Sequence, residues 1–353
     1  MQNFELAEIV DIVLCESSST LQLTQALDAY LKICSQISGI DAKPCFDAWA
    51  KDSYLDSGLA ISPEAAANCV TDYKRSIVFI RGVYHAIKAI QKKFKHHKLN
   101  ILYAGCGPFA TQILPLLAKF KTTDFKLTLL DIHQDSLDSV RLLVQYFQLD
   151  KYDISLEMED ACHYQPKGRQ HVILTETMQK ALEQEPQYQI TKNLTPYLVT
   201  GGTFLPEKVQ VSLCLIKIDK EKKTFEQFQL LDIDELILQK QRYFLGPVID
   251  LGLKKIDDKF ENRVDNIDDK KTCSVPYQLS CGEFELPENE QLESFDLALM
   301  TNIQVYQHYR LNDYESELTL PAVCTGLPTL KQGMKLSIQY FVGSYPKFEV
   351  SVD

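Results

Sequence analysis

An apolar run, Ile101-Leu102-Tyr103-Ala104, breaks into Gly105-Cys106-Gly107 and then opens into apolar residues at helical spacing from Thr111 to Phe120. No other segment constrains the chain as tightly. Two glycines one residue apart let the backbone turn sharply and let a ligand approach it with no Cβ in the way. A helix starting just beyond would aim its free amide groups at that ligand. The segment reads as strand, nucleotide-binding turn and helix.

The flanking sequence predicts which sheet carries this turn. Strands are expected at about 100–105, 126–131, 153–158 and 170–175, with helices at 110–120 and 135–147 between them. Strand–helix alternation with right-handed crossovers implies a doubly wound parallel sheet. Gly105 to Ala110 matches G-x-G-x-x-A, a pattern shared by several nucleotide-binding folds. Asp131 closes the second strand, where a carboxylate can accept both hydroxyls of a ribose, in a nicotinamide dinucleotide or in S-adenosylmethionine alike. Asp160-Ala161, after the third strand, suits an adenine amino group and favours the second of these.

Bulk properties narrow the partners. A net charge of -11 over 353 residues argues against a nucleic-acid surface and suits a basic peptide or protein. No stretch of 18 apolar residues predicts a membrane span, and the first residues lack the pattern of a signal peptide. Ten cysteines without a CxxC pair read as reduced thiols of a cytoplasmic protein, and the histidines show no metal-ligand spacing.

Elsewhere, apolar residues from Phe4 to about Ser38 recur at helical spacing, with Ser18 and Ser19 as caps between two helices. A long helix is expected from Pro63 to Phe94. After Pro206 the texture turns to strands: Val209 to Ile218, Leu297 to Tyr309, Leu318 to Val323, Met334 to Phe341 and Phe348 to Val352. The expected organisation is a helical region at 1–97, a Rossmann-like domain at 98–206 and a mainly-β, barrel-like domain at 207–353. An insertion is expected at about 232–260, followed by a charged loop at 257–271.

The segment from Tyr54 to Pro206 resembles the catalytic domain of the protein arginine methyltransferase family. Asp72-Tyr73-Lys74-Arg75-Ser76-Ile77-Val78-Phe79 is similar to that family's D-x-V-R-T-x-x-Y helix. Thr175-Glu176-Thr177-Met178 resembles its S-E-x-M, and Glu185 follows at the spacing of its double-glutamate loop. Tyr197-Leu198, Gly201-Gly202 and Pro206 follow the family's Y-L-x-P-x-G-x-x-x-P, with Thr200 in place of the first proline.

The resemblance implies a class I methyltransferase that binds S-adenosylmethionine through Arg75, Gly105, Gly107, Asp131, Asp160 and Ala161. Arg75 would take the methionine carboxylate. Glu176 and Glu185 would clamp a guanidinium on a peptide or protein, with Glu183 a rival for the second position. A homodimer would form through the insertion. Four departures stand against the family pattern. Tyr103 replaces an acidic residue, Gln179-Lys180 replaces Gly-Tyr, Tyr314-Glu315-Ser316-Glu317 stands near the place of a Thr-His-Trp loop, and the one tryptophan is Trp49. A methyltransferase for a small molecule, a dehydrogenase and a scaffold that lost its acceptor site are the alternatives.

Overall fold

The computed structural model describes residues 5–42, 51–221, 242–252, 276–289 and 291–352. Two helices open the chain, α1 (Leu6–Leu14) and α2 (Thr20–Ser38). Ser19 caps α2 by accepting from the Gln22 amide, while the Gln22 side chain accepts from the Ser19 amide. A small hairpin follows, β1 (Ser53–Leu55) against β2 (Gly58–Ala60).

The helix expected over residues 63–94 is two helices, α3 (Pro63–Asn68) and α4 (Tyr73–Lys93). Asp72 breaks it. Its backbone leaves the helical region, and its side chain accepts from the Arg75 amide at 3.3 Å, which starts a new helix. Local side-chain bonding of this kind competes with helix propagation and wins where tertiary contacts support the break.

A five-stranded parallel sheet follows, built from β3 (Leu99–Ala104), β4 (Phe125–Asp131), β5 (Asp153–Met158), β6 (Gln170–Thr175) and β7 (Leu198–Leu205), with helices α5 (Gln134–Tyr146) and α6 (Gln187–Leu194) in the crossovers. The strand order is β5-β4-β3-β6-β7, and every pairing is parallel. The central strands β3 and β6 are covered on both faces, which is why Ile101 to Ala104 and Val172 to Leu174 are apolar without alternation. Ile101, Tyr103, Leu127, Leu129, Val172 and Leu174 join the core that includes α2 and α4. Leu102, Ala104, Leu130, Ile173 and Phe204 pack on the other side with Ile190 and Leu194 of α6.

The helix expected at 110–120 is absent as such: turns lead into one short 3-10 segment, Pro115–Lys119. Pro115 has no amide hydrogen to give the Thr111 carbonyl, so an α-helical ladder cannot run through it. The sheet order reverses between β3 and β6. In such sheets the crevice at the carboxyl ends of these two strands is where ligands bind.

The remaining strands are β8 (Lys208–Ile216), β9 (Tyr243–Gly252), β10 (Tyr277–Glu285), β11 (Asp296–Tyr306), β12 (Tyr309–Leu311), β13 (Ala322–Val323), β14 (Lys335–Val342) and β15 (Lys347–Val352). One antiparallel sheet has the order β12-β11-β8-β9, with β13 also on β11; a second is β10-β14-β15. Among the described residues these sheets do not close into the expected barrel. Of the insertion expected at 232–260, residues 243–252 are β9, paired along β8, while 232–241 and 253–260 lie outside the described residues, as does the 257–271 loop. The strand expected from Leu297 to Tyr309 turns back at Gln307, whose φ is 51°. In the stretch from Leu318 to Val323, only Ala322–Val323 pairs as a strand.

Helix α4 joins the two halves. A Cβ on its Gly82 would lie 2.6 Å from Val305 Cγ1 of β11, so only glycine permits this approach. No helix among the described residues is long and apolar enough to cross a membrane.

Candidate active site

Gly105 and Gly107 lie just beyond β3 with φ of 71° and 62°, a left-handed conformation that costs glycine little. The Gly105 and Cys106 amides donate to the Leu130 carbonyl at 2.8 and 3.0 Å. A Cβ on Gly105 would meet Thr177 Cγ2 at 2.3 Å, so the turn presses against the segment that follows β6. The far side of the turn is held by α2 and α5: the Tyr30 hydroxyl donates to the Phe109 carbonyl at 2.7 Å, and the Ser139 hydroxyl to the Pro108 carbonyl at 2.5 Å. With no α-helix after Gly107, the expected array of helix N-terminal amides is missing. The Gly107 amide instead donates to Asp131 Oδ2 at 2.8 Å.

Asp131 ends β4 and is buried. Its second oxygen accepts from the His133 amide at 2.9 Å. Each carboxylate oxygen has two acceptor positions, so both can still take a hydroxyl. Asp160 is placed differently. Oδ1 accepts from the Cys162 amide at 2.8 Å, and Oδ2 lies 2.9 Å from His163 Nδ1, so the side chain ties up the turn after β5.

The centre of the crevice is ionic. Arg75, on the first turn of α4, donates from Nε at 3.1 Å, and also from Nη2, to Glu176 Oε2 just beyond β6. Both side chains are buried. Gln112 Nε2 donates to the same oxygen at 3.3 Å. Glu176 Oε1 and Gln112 Oε1 are buried with no hydrogen-bond partner. Burial raises the Glu176 carboxyl above its usual range, and the Arg75 charge opposes that rise.

Glu185 is buried as well, and its pKa is pushed up to about 8, first by burial and then by the facing Glu176 charge. At neutral pH it therefore carries a proton. Cys69 stands near the same groups, its thiol raised to about 11 by burial.

The segment between the two glutamates bends through left-handed conformations without a glycine: φ is 55° at Ala181, 54° at Leu182 and 65° at Gln184. Such residues cost roughly 1–3 kcal/mol each and persist only where neighbours force them. The neighbours here come from other elements. The Ala181 amide donates to Thr301 Oγ1 at 2.8 Å, the Tyr340 hydroxyl to the Leu182 carbonyl at 2.6 Å, the Gln184 amide to the Pro346 carbonyl at 2.7 Å, and the Leu59 amide to the Gln184 carbonyl at 2.8 Å.

All eight residues singled out by the sequence (Arg75, Gly105, Gly107, Asp131, Asp160, Ala161, Glu176 and Glu185) line one cleft at the switch point between β3 and β6. Its space is about 1040 Å³, including the part open to solvent. Glu183 is not among the lining residues; the charges that act on it are those of Lys180 and Lys347. Leu55, Leu59 and Ala60 of the β1–β2 hairpin also border the cleft. Tyr103, one of the departures noted in the sequence, lines it too.

Sequence reasoning missed Gln112, His133 and the hairpin. The first two lie seven residues beyond Gly105 and two beyond Asp131, and nothing but those offsets marked them. Residues 314–317 are bound to the start of α4: Ser316 Oγ donates to Asp72 Oδ2 at 2.6 Å, and the Glu317 amide to the same oxygen at 3.0 Å. Among the described residues no group of three or more His, Cys, Asp or Glu side chains is placed to hold a metal ion.

The cleft thus combines a glycine turn with no room for a Cβ at Gly105, an aspartate with acceptor positions to spare, and an arginine paired with a glutamate.

No protein-family model matches the chain, and no curated protein matches it either. Among solved structures, it is similar to the Trypanosoma brucei PRMT1 enzyme–prozyme heterotetrameric complex with AdoHcy, at 12% identity and a TM-score of 0.48, covering 81% of this chain and 91% of that one. It is also similar to Arabidopsis thaliana protein arginine methyltransferase 10, at 11% identity and a TM-score of 0.46, covering 77% of this chain and 86% of that one.

Proposed function

We propose that the chain is an S-adenosylmethionine-dependent methyltransferase whose acceptor is a guanidinium on a basic peptide or protein. The observation that carries this reading is the convergence of Arg75, Gly105, Gly107, Asp131, Glu176 and Glu185 on one cleft at the sheet's switch point.

When bound, S-adenosylmethionine supplies a methyl group activated by a sulfonium, transferable by in-line displacement. This chain's residues bind and align. Asp131 holds ribose hydroxyls and Asp160-Ala161 borders the base. Gly105 and Gly107 let the backbone approach. Arg75 takes a carboxylate through the part of its fork that Glu176 does not use, since both bonds to Glu176 come from Nε and Nη2.

On the acceptor side, a guanidinium arrives protonated. Glu176 and Glu185 orient it and offset its charge. The incoming cation lowers the pKa of Glu185, so the carboxyl gives up its proton on binding and, once ionised, can take up the proton that the acceptor nitrogen releases.

The test is incorporation of labelled methyl groups from S-adenosylmethionine into arginine-rich peptides, run beside extracts of small molecules. Label in the peptides, lost when Glu185 is changed to Gln, is the expected result. Label only in small molecules would move the acceptor to that class. No label in either, with the donor bound, would leave a binding scaffold.

A further inference from the structure

The turn after β3 lacks the support that a following α-helix would give it. In such a helix the Phe109 carbonyl would take the Ile113 amide. That amide donates to the Ala110 carbonyl instead, at 3.0 Å, as does the Leu114 amide at 2.9 Å. Ala110 has a φ of 42°, a left-handed value that only its neighbours can hold. Two side chains from other elements take the carbonyls left over: Tyr30 of α2 bonds Phe109, and Ser139 of α5 bonds Pro108. All four residues are buried. The Tyr30 ring is also stacked on Phe147, just past α5, with centroids 6.3 Å apart.

No residue of α1 or α2 lines the cleft, so their hold on it is indirect. The bonds at Pro108 and Phe109 come directly after Gly107, whose amide donates to Asp131. The same two helices are bonded to α4. Asp28 accepts from the Tyr73 hydroxyl at 2.6 Å, and Arg81 Nε donates to the Val13 carbonyl at 2.7 Å. The glycine turn and the helix that carries Arg75 are thus fastened to one support.

From this we infer that Tyr30 and Ser139 are positioning residues for the donor, their hydroxyls replacing a helix's hydrogen bonds in holding the Gly105–Gly107 turn against Asp131. Without them the turn samples other positions, and affinity falls with the fraction of molecules in the competent one. This inference rests on the methyl-donor reading above.

The experiment is calorimetric titration with S-adenosylhomocysteine, at a temperature where circular dichroism shows each variant folded. Tyr30→Phe keeps the ring and removes only the hydroxyl; it is expected to weaken binding by about threefold to tenfold, and Ser139→Ala likewise. Leu27→Ala removes buried volume from the same helix without touching either bond. It is expected to lower the melting temperature and leave the affinity of the folded protein within about twofold. Should Tyr30→Phe not fold, Ser139→Ala decides. Unchanged affinity in either hydroxyl variant, or equal weakening in Leu27→Ala, overturns the inference while leaving the donor reading intact. Failure of the wild type to bind overturns the donor reading itself, and the inference with it.

Discussion

The Arg75–Glu176 pair is the residue-scale centre of the site. With both side chains buried, removing one partner strands the other charge. Arg75→Ala or Glu176→Ala alone should therefore cost about 3 kcal/mol or more of stability. The double variant should cost less than the sum by about 1 kcal/mol or more. Urea denaturation of the four proteins measures this, and strict additivity would show that the two groups do not interact.

Glu185 gives a second, pH-dependent expectation. Its folded pKa of about 8 lies above the ordinary 4.5, so the folded protein keeps a proton that the unfolded chain releases. Stability from this group is present below about pH 4.5 and is lost as pH rises toward about 8. Glu185→Gln copies the protonated form and never ionises. Its melting temperature should gain on the wild type progressively between about pH 5 and pH 8 and then level off. A gap that stays constant across that range would contradict the assignment.

Among elements, the segment from Ala181 to Gln184 depends most on its surroundings. Tyr340→Phe removes the bond to the Leu182 carbonyl, at a cost of about 1 kcal/mol, and hydrogen exchange should quicken at 181–185 ahead of the parallel sheet. Unchanged exchange there would mean that the left-handed bend holds itself.

No sequence signal marks this bend, because its residues are ordinary and the partners that force it, Thr301 and Tyr340, are 120 and 158 positions along the chain. The strands at 153–158 and 170–175 were legible to the residue: Ile154, Leu156 and Met158 alternate with polar residues in the first, and Val172 to Leu174 form an apolar run in the second. The helix at 110–120 misled because its apolar spacing is real and serves the core, while Pro115 forbids the ladder. The break at Asp72 is the opposite case: a capping side chain was in plain sight, but only contact with Ser316 and Glu317 makes the break worth having.

At the scale of the whole molecule, α4 ties the parallel sheet to the antiparallel ones, and residues 314–317 grip the turn from which Arg75 projects. On the proposed function, the net charge of -11 would attract a basic peptide acceptor at long range. Salt screens such attraction over about 8 Å at physiological strength. The KM for an arginine-rich peptide should therefore rise with added salt while donor affinity changes little. A KM indifferent to salt would remove charge as the basis of acceptor choice.

The central claim is that an adenosyl donor lies in the cleft beneath the Gly105–Gly107 turn. Equilibrium binding of labelled S-adenosylmethionine to wild-type protein and to Gly105→Arg tests it most directly, because a side chain at that left-handed position would have to pass through Thr177. The account predicts saturable binding by the wild type and none by a variant that still melts cooperatively. Equal binding by both proteins, or no saturable binding by the wild type, would contradict it.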